Sequence, residues 1–214
     1  CPTVAGTYLM VCKGLKHLYG DDLPERGSVE VHMRGARDEG TTGVMASVAT
    51  LITGAKAVTY SGAVFAGGPG RQFEILASEQ VALYGCGAAI LTGVQEANYI
   101  PKDHHDLSHL TDILVSASPL PARTWRWVYD AVNPTVRLRS DSGGTDVCSV
   151  FVGSNPMDPV RINELMGPAL GVAADVYDDT GSPVTDQVGE LVITKPMPTM
   201  PLYFWHDDDG SRYR

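Results

Sequence analysis

The chain has 214 residues, 43% hydrophobic and 19% charged, which suits one sizeable core with or without a small lobe and excludes a disordered acidic tail. A net charge of -9 with 16 Lys and Arg argues against nucleic acid, which needs a basic face. A neutral or anionic small molecule fits if backbone N–H groups, a few basic residues or a metal ion receive it.

In chain order, Val11–Tyr19 reads as a helix with Leu15 and Leu18 on one face. "DDLPERGS" is a loop punctuated by Pro24 and Gly27, and Val29–Met33 alternates as a short strand does. Thr42–Thr53 reads as a buried helix with Gly54 just past its end. Lys56–Tyr60 reads as a strand, followed by the Gly/Pro-rich "SGAVFAGGPGR". Phe73–Glu79 is expected to be helical and "VALYG" a buried strand. "DILVSA" is a second strand, Pro121–Val132 a helix after a Ser-Pro turn, and Thr135–Arg139 a third strand. Apolar strands alternating with helices predict an α/β layer with a mainly parallel sheet and flanking helices. Beyond about Leu170, "GVAADVYDDTGSPVTDQVGELVIT" has two strand-like runs around a D-D-T-G-S-P turn, the pattern of a small antiparallel β unit. No uncharged apolar run reaches the roughly 18 residues a membrane helix needs. The cysteines Cys1, Cys12, Cys86 and Cys148 form no C-x-x-C pair, so reduced thiols in a cytoplasmic protein are expected.

Most short motifs have a structural explanation. "YGCGAAI" follows a strand and holds Gly-x-Gly, but Ile90 stands where a dinucleotide fingerprint has its third glycine, so it is read as a strand-to-helix turn with close backbone packing. In "DHHDLSH", His105 and His109 are four apart, but no H-E-x-x-H is present, and a solvated, partly capping segment is the simpler reading. "HDDDG" lacks the ligand alternation and distal Glu of a calcium loop and is read as an acidic surface turn. Neither G-x-S-x-G nor a Walker loop occurs.

"SDSGGTD" is richer. A strand leads in, which puts Ser140–Gly144 at a carboxyl edge, where open α/β sheets bind ligands. Gly143 and Gly144 let backbone approach a ligand closely. Thr145 offers a hydroxyl to a phosphate, and Asp146 a carboxylate to Mg2+ shared with phosphate oxygens. The competing reading is a Gly-Gly turn whose Asp caps a helix, and the residues of this stretch alone leave both open.

Four segments in order, "HHDLSHLTDILVSASPL", "WRWVYDAV", "RLRSDSGGTDVCSVFVGSNPMDPV" and "GELVITKPMPTMPLYFWHDDDGSRYR", resemble the acyl-adenylate-forming (AMP-binding) ligases. The resemblance is strong over residues 107–214, faint over 51–87 and poor before 50. It implies part of the large N-terminal domain of an adenylate-forming enzyme, with an α/β adenylation-core subdomain over 1–169, incomplete at its N-terminus, and the start of a truncated small β subdomain over 170–214. It implies ATP/AMP and Mg2+ as cofactors, CoA as cosubstrate and an acetoacetate-like carboxylic acid as substrate.

The residue roles follow from the same resemblance. Thr145 and Asp146 are the catalytic pair, Thr145 at the α-phosphate and Asp146 towards the metal, with Ser140, Asp141, Ser142, Gly143 and Gly144 along the nucleotide and acyl pocket. Ser116, Ala117, Ser118 and Pro119 form the loop passing the adenine. "GELVITKP" and "LYFW" belong to the small β unit, where Trp205 is read as packing.

Three departures stand out. Ala117 replaces the usual Gly of its loop, Ser142 a frequent aromatic, and Thr3 the Lys that ends the family's phosphate loop. The ribose Asp and the C-terminal domain with its adenylation Lys are expected beyond Arg214. These departures lead to the expectation of a truncated ligase that is inactive alone, self-associating or completed by a missing domain in trans. The alternatives are a non-catalytic nucleotide-binding or interaction module derived from this fold, and an unrelated α/β enzyme using another site.

Overall fold

The computed structural model describes residues 56–60, 62–147, 149–153, 158–197 and 199–213, together with 11–13, 15–17, 20, 22 and 54. Residues 11–13 and 15–17 are helical, within the helix expected at Val11–Tyr19. The elements expected at Val29–Met33 and Thr42–Thr53 lie outside the described residues. Residues 56–60 carry no regular structure, so the strand expected there is corrected: its apolar run packs Val58 against the core without pairing to a neighbour.

The centre is a β-α-β-α-β unit with a helix ahead of it. Helix α1 (Arg71–Ser78) precedes strand β1 (Leu83–Gly87), which runs into α2 (Ala88–Glu96); β2 (Asp112–Ser116), α3 (Ala122–Ala131) and β3 (Arg137–Ser140) follow. A short 3-10 helix, Pro101–Asp103, starts the connection into β2. The three strands form a parallel sheet in the order β1-β2-β3, with Cys86 beside Val115 and Ile113 beside Leu138. Parallel neighbours need a crossover, and each here contains one α-helix. Arg137 N–H donates to the Thr111 carbonyl (2.8 Å) and Asp141 N–H to that of Val115 (2.9 Å), carrying the β2–β3 ladder ahead of the start of β2 and past the end of β3.

Burial alternates along the strands as a sheet covered on one face requires. Tyr84, Cys86, Ile113, Val115 and Leu138 are buried and meet Phe73 and Leu76 of α1, Ile90, Leu91 and Val94 of α2, and Trp125 and Val128 of α3. Each fully buried aliphatic or aromatic side chain contributes roughly 1.5–3 kcal/mol relative to exposure. Helix α3 enters from Pro121, whose carbonyl accepts from Thr124 N–H (2.8 Å) and Trp125 N–H (3.0 Å). Buried Asn133, just past its end, ties the loop ahead of β2 by donating to the carbonyls of Leu107 (3.1 Å) and Leu110 (3.0 Å).

Beyond β3 the chain forms two antiparallel pairs, β4 (Ser142–Gly144) with β5 (Ser149–Val152), and β6 (Ala174–Tyr177) with β7 (Glu190–Ile193). The second pair is the antiparallel unit expected from the D-D-T-G-S-P turn. Asp178 shapes that turn by accepting from Thr180 N–H, Thr180 Oγ1 and Ser182 N–H at 2.7–2.9 Å. Among the described residues no helix is long and apolar enough to cross a membrane.

Candidate functional site

Strands β2 and β3 are parallel neighbours, so their carboxyl ends, Ser116 and Ser140, open on the same edge of the sheet. The loops leaving them enclose a cavity of about 860 Å³. Ser116, Ala117, Ser118 and Pro119 line it from the first loop, and Ser140, Asp141, Ser142, Gly143, Gly144 and Thr145 from the second. Two stretches read separately in the sequence thus meet at one site. Asp146 follows Thr145 on the same turn, exposed, and is not part of the cavity lining.

The glycines of "SDSGGTD" act differently from the Gly-Gly turn ahead of a helix that the competing reading supposed. Gly143 and Gly144 lie in β4, and residues 145–147 turn the chain into β5. No helix follows, so the reading of Asp146 as a helix cap is corrected. Neither glycine uses a positive φ. Glycine is needed at 143 for close approach: a Cβ there would run into the Ser149 carbonyl oxygen and come within 2.9 Å of the Val150 Cα, both backbone atoms of the paired strand that cannot swing aside.

The first loop holds a backbone outlier. Ala117 has φ 74, a conformation glycine adopts freely and alanine adopts at a cost of order 1 kcal/mol. Positive φ at the position where the family usually carries Gly gives that preference a steric reason.

The cavity also takes in residues that local motifs do not flag. Trp125 and Leu120 contribute from α3 and its approach, Ser149 and Val150 from β5, and Asn163, Glu164 and Leu165 from a later loop. Asn163 has φ 63, a region Asn tolerates better than most residues, and Pro159 and Gly167-Pro168 around it are the local signals of a loop there. Among the described lining residues Asp141 and Glu164 are the charged ones and none is basic.

Magnesium takes one or two protein carboxylates and completes its shell with substrate phosphates and water. The Thr145 hydroxyl and the exposed Asp146 carboxylate match that donor set, although among the described residues no group of three His, Cys, Asp or Glu side chains converges. Residues 145 and 146 therefore fit an ion that arrives with a phosphate.

The remaining motifs resolve structurally. "YGCGAAI" is the passage from β1 into α2, with Gly87 as N-cap. The close packing expected there is not seen at Gly85, where a Cβ would meet nothing within 4 Å. His105 and His109 do not share a helix. Instead His105 Nε2 pairs with the Tyr99 hydroxyl (2.8 Å), His104 stacks on the Tyr99 ring at 4.8 Å, and Asp106 Oδ1 accepts from Ser108 N–H (3.0 Å). Burial, reinforced by neighbouring His104, pulls His105 below the usual histidine value.

Two further expectations need correcting. Asp207 in "HDDDG" is buried, not on the surface, and its Oδ1 accepts from Arg212 N–H (3.0 Å). Trp205, expected to pack, is 79% exposed, edge-on to His206, because residues 202–205 form no strand and follow no core face.

A family model described as "AMP-binding enzyme" matches residues 41–204. An acetoacetyl-coenzyme A synthetase of Rhizobium meliloti (strain 1021) is 41% identical over 164 residues, 77% of this chain and 25% of that protein. The acetoacetyl-CoA synthetase of Gallus gallus is 38% identical over 78% of this chain and 25% of its own length. Among solved structures, acetoacetyl-CoA synthetase from Streptomyces lividans superposes with a TM-score of 0.77 at 35% identity, covering 95% of this chain and 32% of its own. The anthranilate CoA ligase AuaEII, in complex with anthranoyl-AMP, shares the fold at a TM-score of 0.71 and 19% identity, over 96% of this chain and 38% of its own. The chain spans about a quarter of the length of the curated relatives it matches.

Proposed function

The chain belongs to the AMP-binding enzyme family, and from that premise we propose that its residues build the nucleotide-facing wall of an acetoacetate–CoA ligase. One observation carries the reading: the Ser116–Pro119 loop and the Ser140–Thr145 stretch, far apart in sequence, border one cavity at the carboxyl edge of adjacent parallel strands. In the proposed reaction an acetoacetate carboxylate oxygen attacks the α-phosphorus of ATP and pyrophosphate leaves. The CoA sulfur then attacks the acyl carbon, AMP leaves and the thiol proton passes to solvent.

Thr145 donates its hydroxyl to an α-phosphate oxygen, the backbone of 116–119 passes the base, and Ser140–Gly144 flank the nucleotide and the acyl group. Asp146 would hold Mg2+, which when bound supplies positive charge to phosphate oxygens. Such chemistry is mostly positioning and charge stabilisation, and the loss of one well-placed donor costs about 10²–10³ in rate. Among the described lining residues none is basic, so this wall offers departing pyrophosphate no cationic grip, and negligible ligase turnover is expected of the chain alone. The same feature favours a second reading, a nucleotide-binding module without catalysis.

Calorimetric titration with AMP and with ATP·Mg2+, alongside ATP–pyrophosphate exchange with acetoacetate, tests both readings. Binding without exchange is expected of the isolated chain, and exchange restored by adding the rest of a relative's chain separates ligase from module. No binding at millimolar nucleotide overturns the proposal. For Asp146→Ala the Mg2+ dependence of ATP binding is expected to vanish, and its persistence removes Asp146 from the metal role.

A further inference from the structure

Trp125 is 2% exposed, and its indole Nε1–H is shut off from solvent and donates to no acceptor. A buried donor without a partner is costly, and native folds rarely keep one without a use. This one belongs to a side chain in the cavity lining, on α3, which begins just after the Ser116–Leu120 loop. Among the described lining residues the charged ones are Asp141 and Glu164, and the Trp125 indole N–H is an uncharged donor. The neighbouring loop contains the strained Ala117, a conformation held at a cost that a ligand is able to relieve by shifting the loop.

We propose that Trp125 is a base-recognising residue: when the loop shifts, its indole N–H donates to an uncharged acceptor, a ring nitrogen of a purine. An uncharged acceptor suits this donor because a charged one loses far more hydration on reaching a side chain only 2% exposed. The inference rests on the nucleotide reading above and adds a residue and a base-dependent step to it.

The test follows the indole N–H resonances of 15N-labelled full chain as AMP, and separately ribose 5-phosphate, is added. Trp127→Phe and Trp205→Phe assign the peaks without touching the core residue. The Trp125 resonance is expected to move downfield with AMP and stay in place with ribose 5-phosphate, which lacks the base. Trp125→Phe, which keeps a ring in the core, is expected to weaken AMP binding about five- to tenfold and leave ribose 5-phosphate binding unchanged. A wild-type chain that binds AMP with the Trp125 resonance unmoved, or moved equally by ribose 5-phosphate, overturns the inference and spares the nucleotide reading. A wild-type chain that binds no AMP overturns both.

Discussion

The parallel unit and the stretch after it are built on different terms. Every member of the buried core cluster lies between Phe73 and Leu138, whereas beyond Ser140 Met197 is the one buried hydrophobic residue among those described. The later stretch leaves Leu170, Val188, Leu202 and Trp205 largely exposed and is shaped by turns and two short strand pairs. The cavity lies where the two meet: one wall comes off rigid strand ends and the other off a hairpin with little core beneath it. A rigid edge holds positions while a lightly supported hairpin adapts, and binding sites often combine the two.

The sharpest way to break this contrast is to empty each region in turn. Leu138→Ala is expected to cost about 2–5 kcal/mol in urea unfolding, and Val192→Ala in β7, half-buried, below about 1 kcal/mol. Equal costs would end the distinction.

Next comes the hairpin's effect on the site. Gly143→Ala, whose Cβ meets backbone of β5, is expected to weaken AMP binding at least tenfold, because the β4–β5 pair has to open, while unfolding of the parallel core moves by no more than about 0.5 kcal/mol. A large fall in core stability would show that the two regions share one cooperative unit.

Acid separates the regions by a smaller effect. His105 titrates below its ordinary value through burial and His104, opposed by Glu74, with Tyr99 on its ring nitrogen. Its neutral form is favoured by folding, so the stability it adds is present above about pH 6.5 and is lost as pH falls through its depressed value. Asp178 is depressed by the Thr180 hydroxyl and the Ser182 and Thr180 amides; its contribution holds above about pH 3.8 and is lost only below that. Residue-resolved hydrogen exchange is therefore expected to show the Tyr99–His105 connection loosening as pH falls below about 6.5 and the Asp178 turn only below about pH 3.8, and His105→Asn should flatten the first step alone. The smallest expected effect is Ala117→Gly, a gain of about 0.5–1 kcal/mol as the positive φ ceases to be strained, read as a rise in thermal midpoint.

Much of the parallel unit is legible in the chain. Alternating burial of Ile113, Val115 and Leu138 and the turn signals around Pro121 mark strands and helix close to where they occur, because these patterns are local consequences of a half-buried surface. Lys56–Tyr60 carries a similar pattern and forms no strand, since pairing needs a neighbour that local sequence does not supply. The candidate site divides the same way. "SDSGGTD" stands out by residue type and "SASP" only through the family resemblance, while Trp125 reads as an ordinary core aromatic and Asn163–Leu165 as ordinary loop.

By itself the sequence determined the α/β class, the antiparallel unit after residue 170 and the glycine, hydroxyl and carboxylate pattern of the Ser140–Asp146 stretch. Backbone propensity, alternation and side-chain type act within a few residues of one another, so a linear reading reaches them. The tertiary structure alone decided that Gly143 is held for close strand approach, that Ala117 carries a positive φ, that Asp146 stands outside the cavity and that Trp125 lines it with an unused donor. Each of these depends on which distant backbone lies alongside, and strand order and crossovers set that.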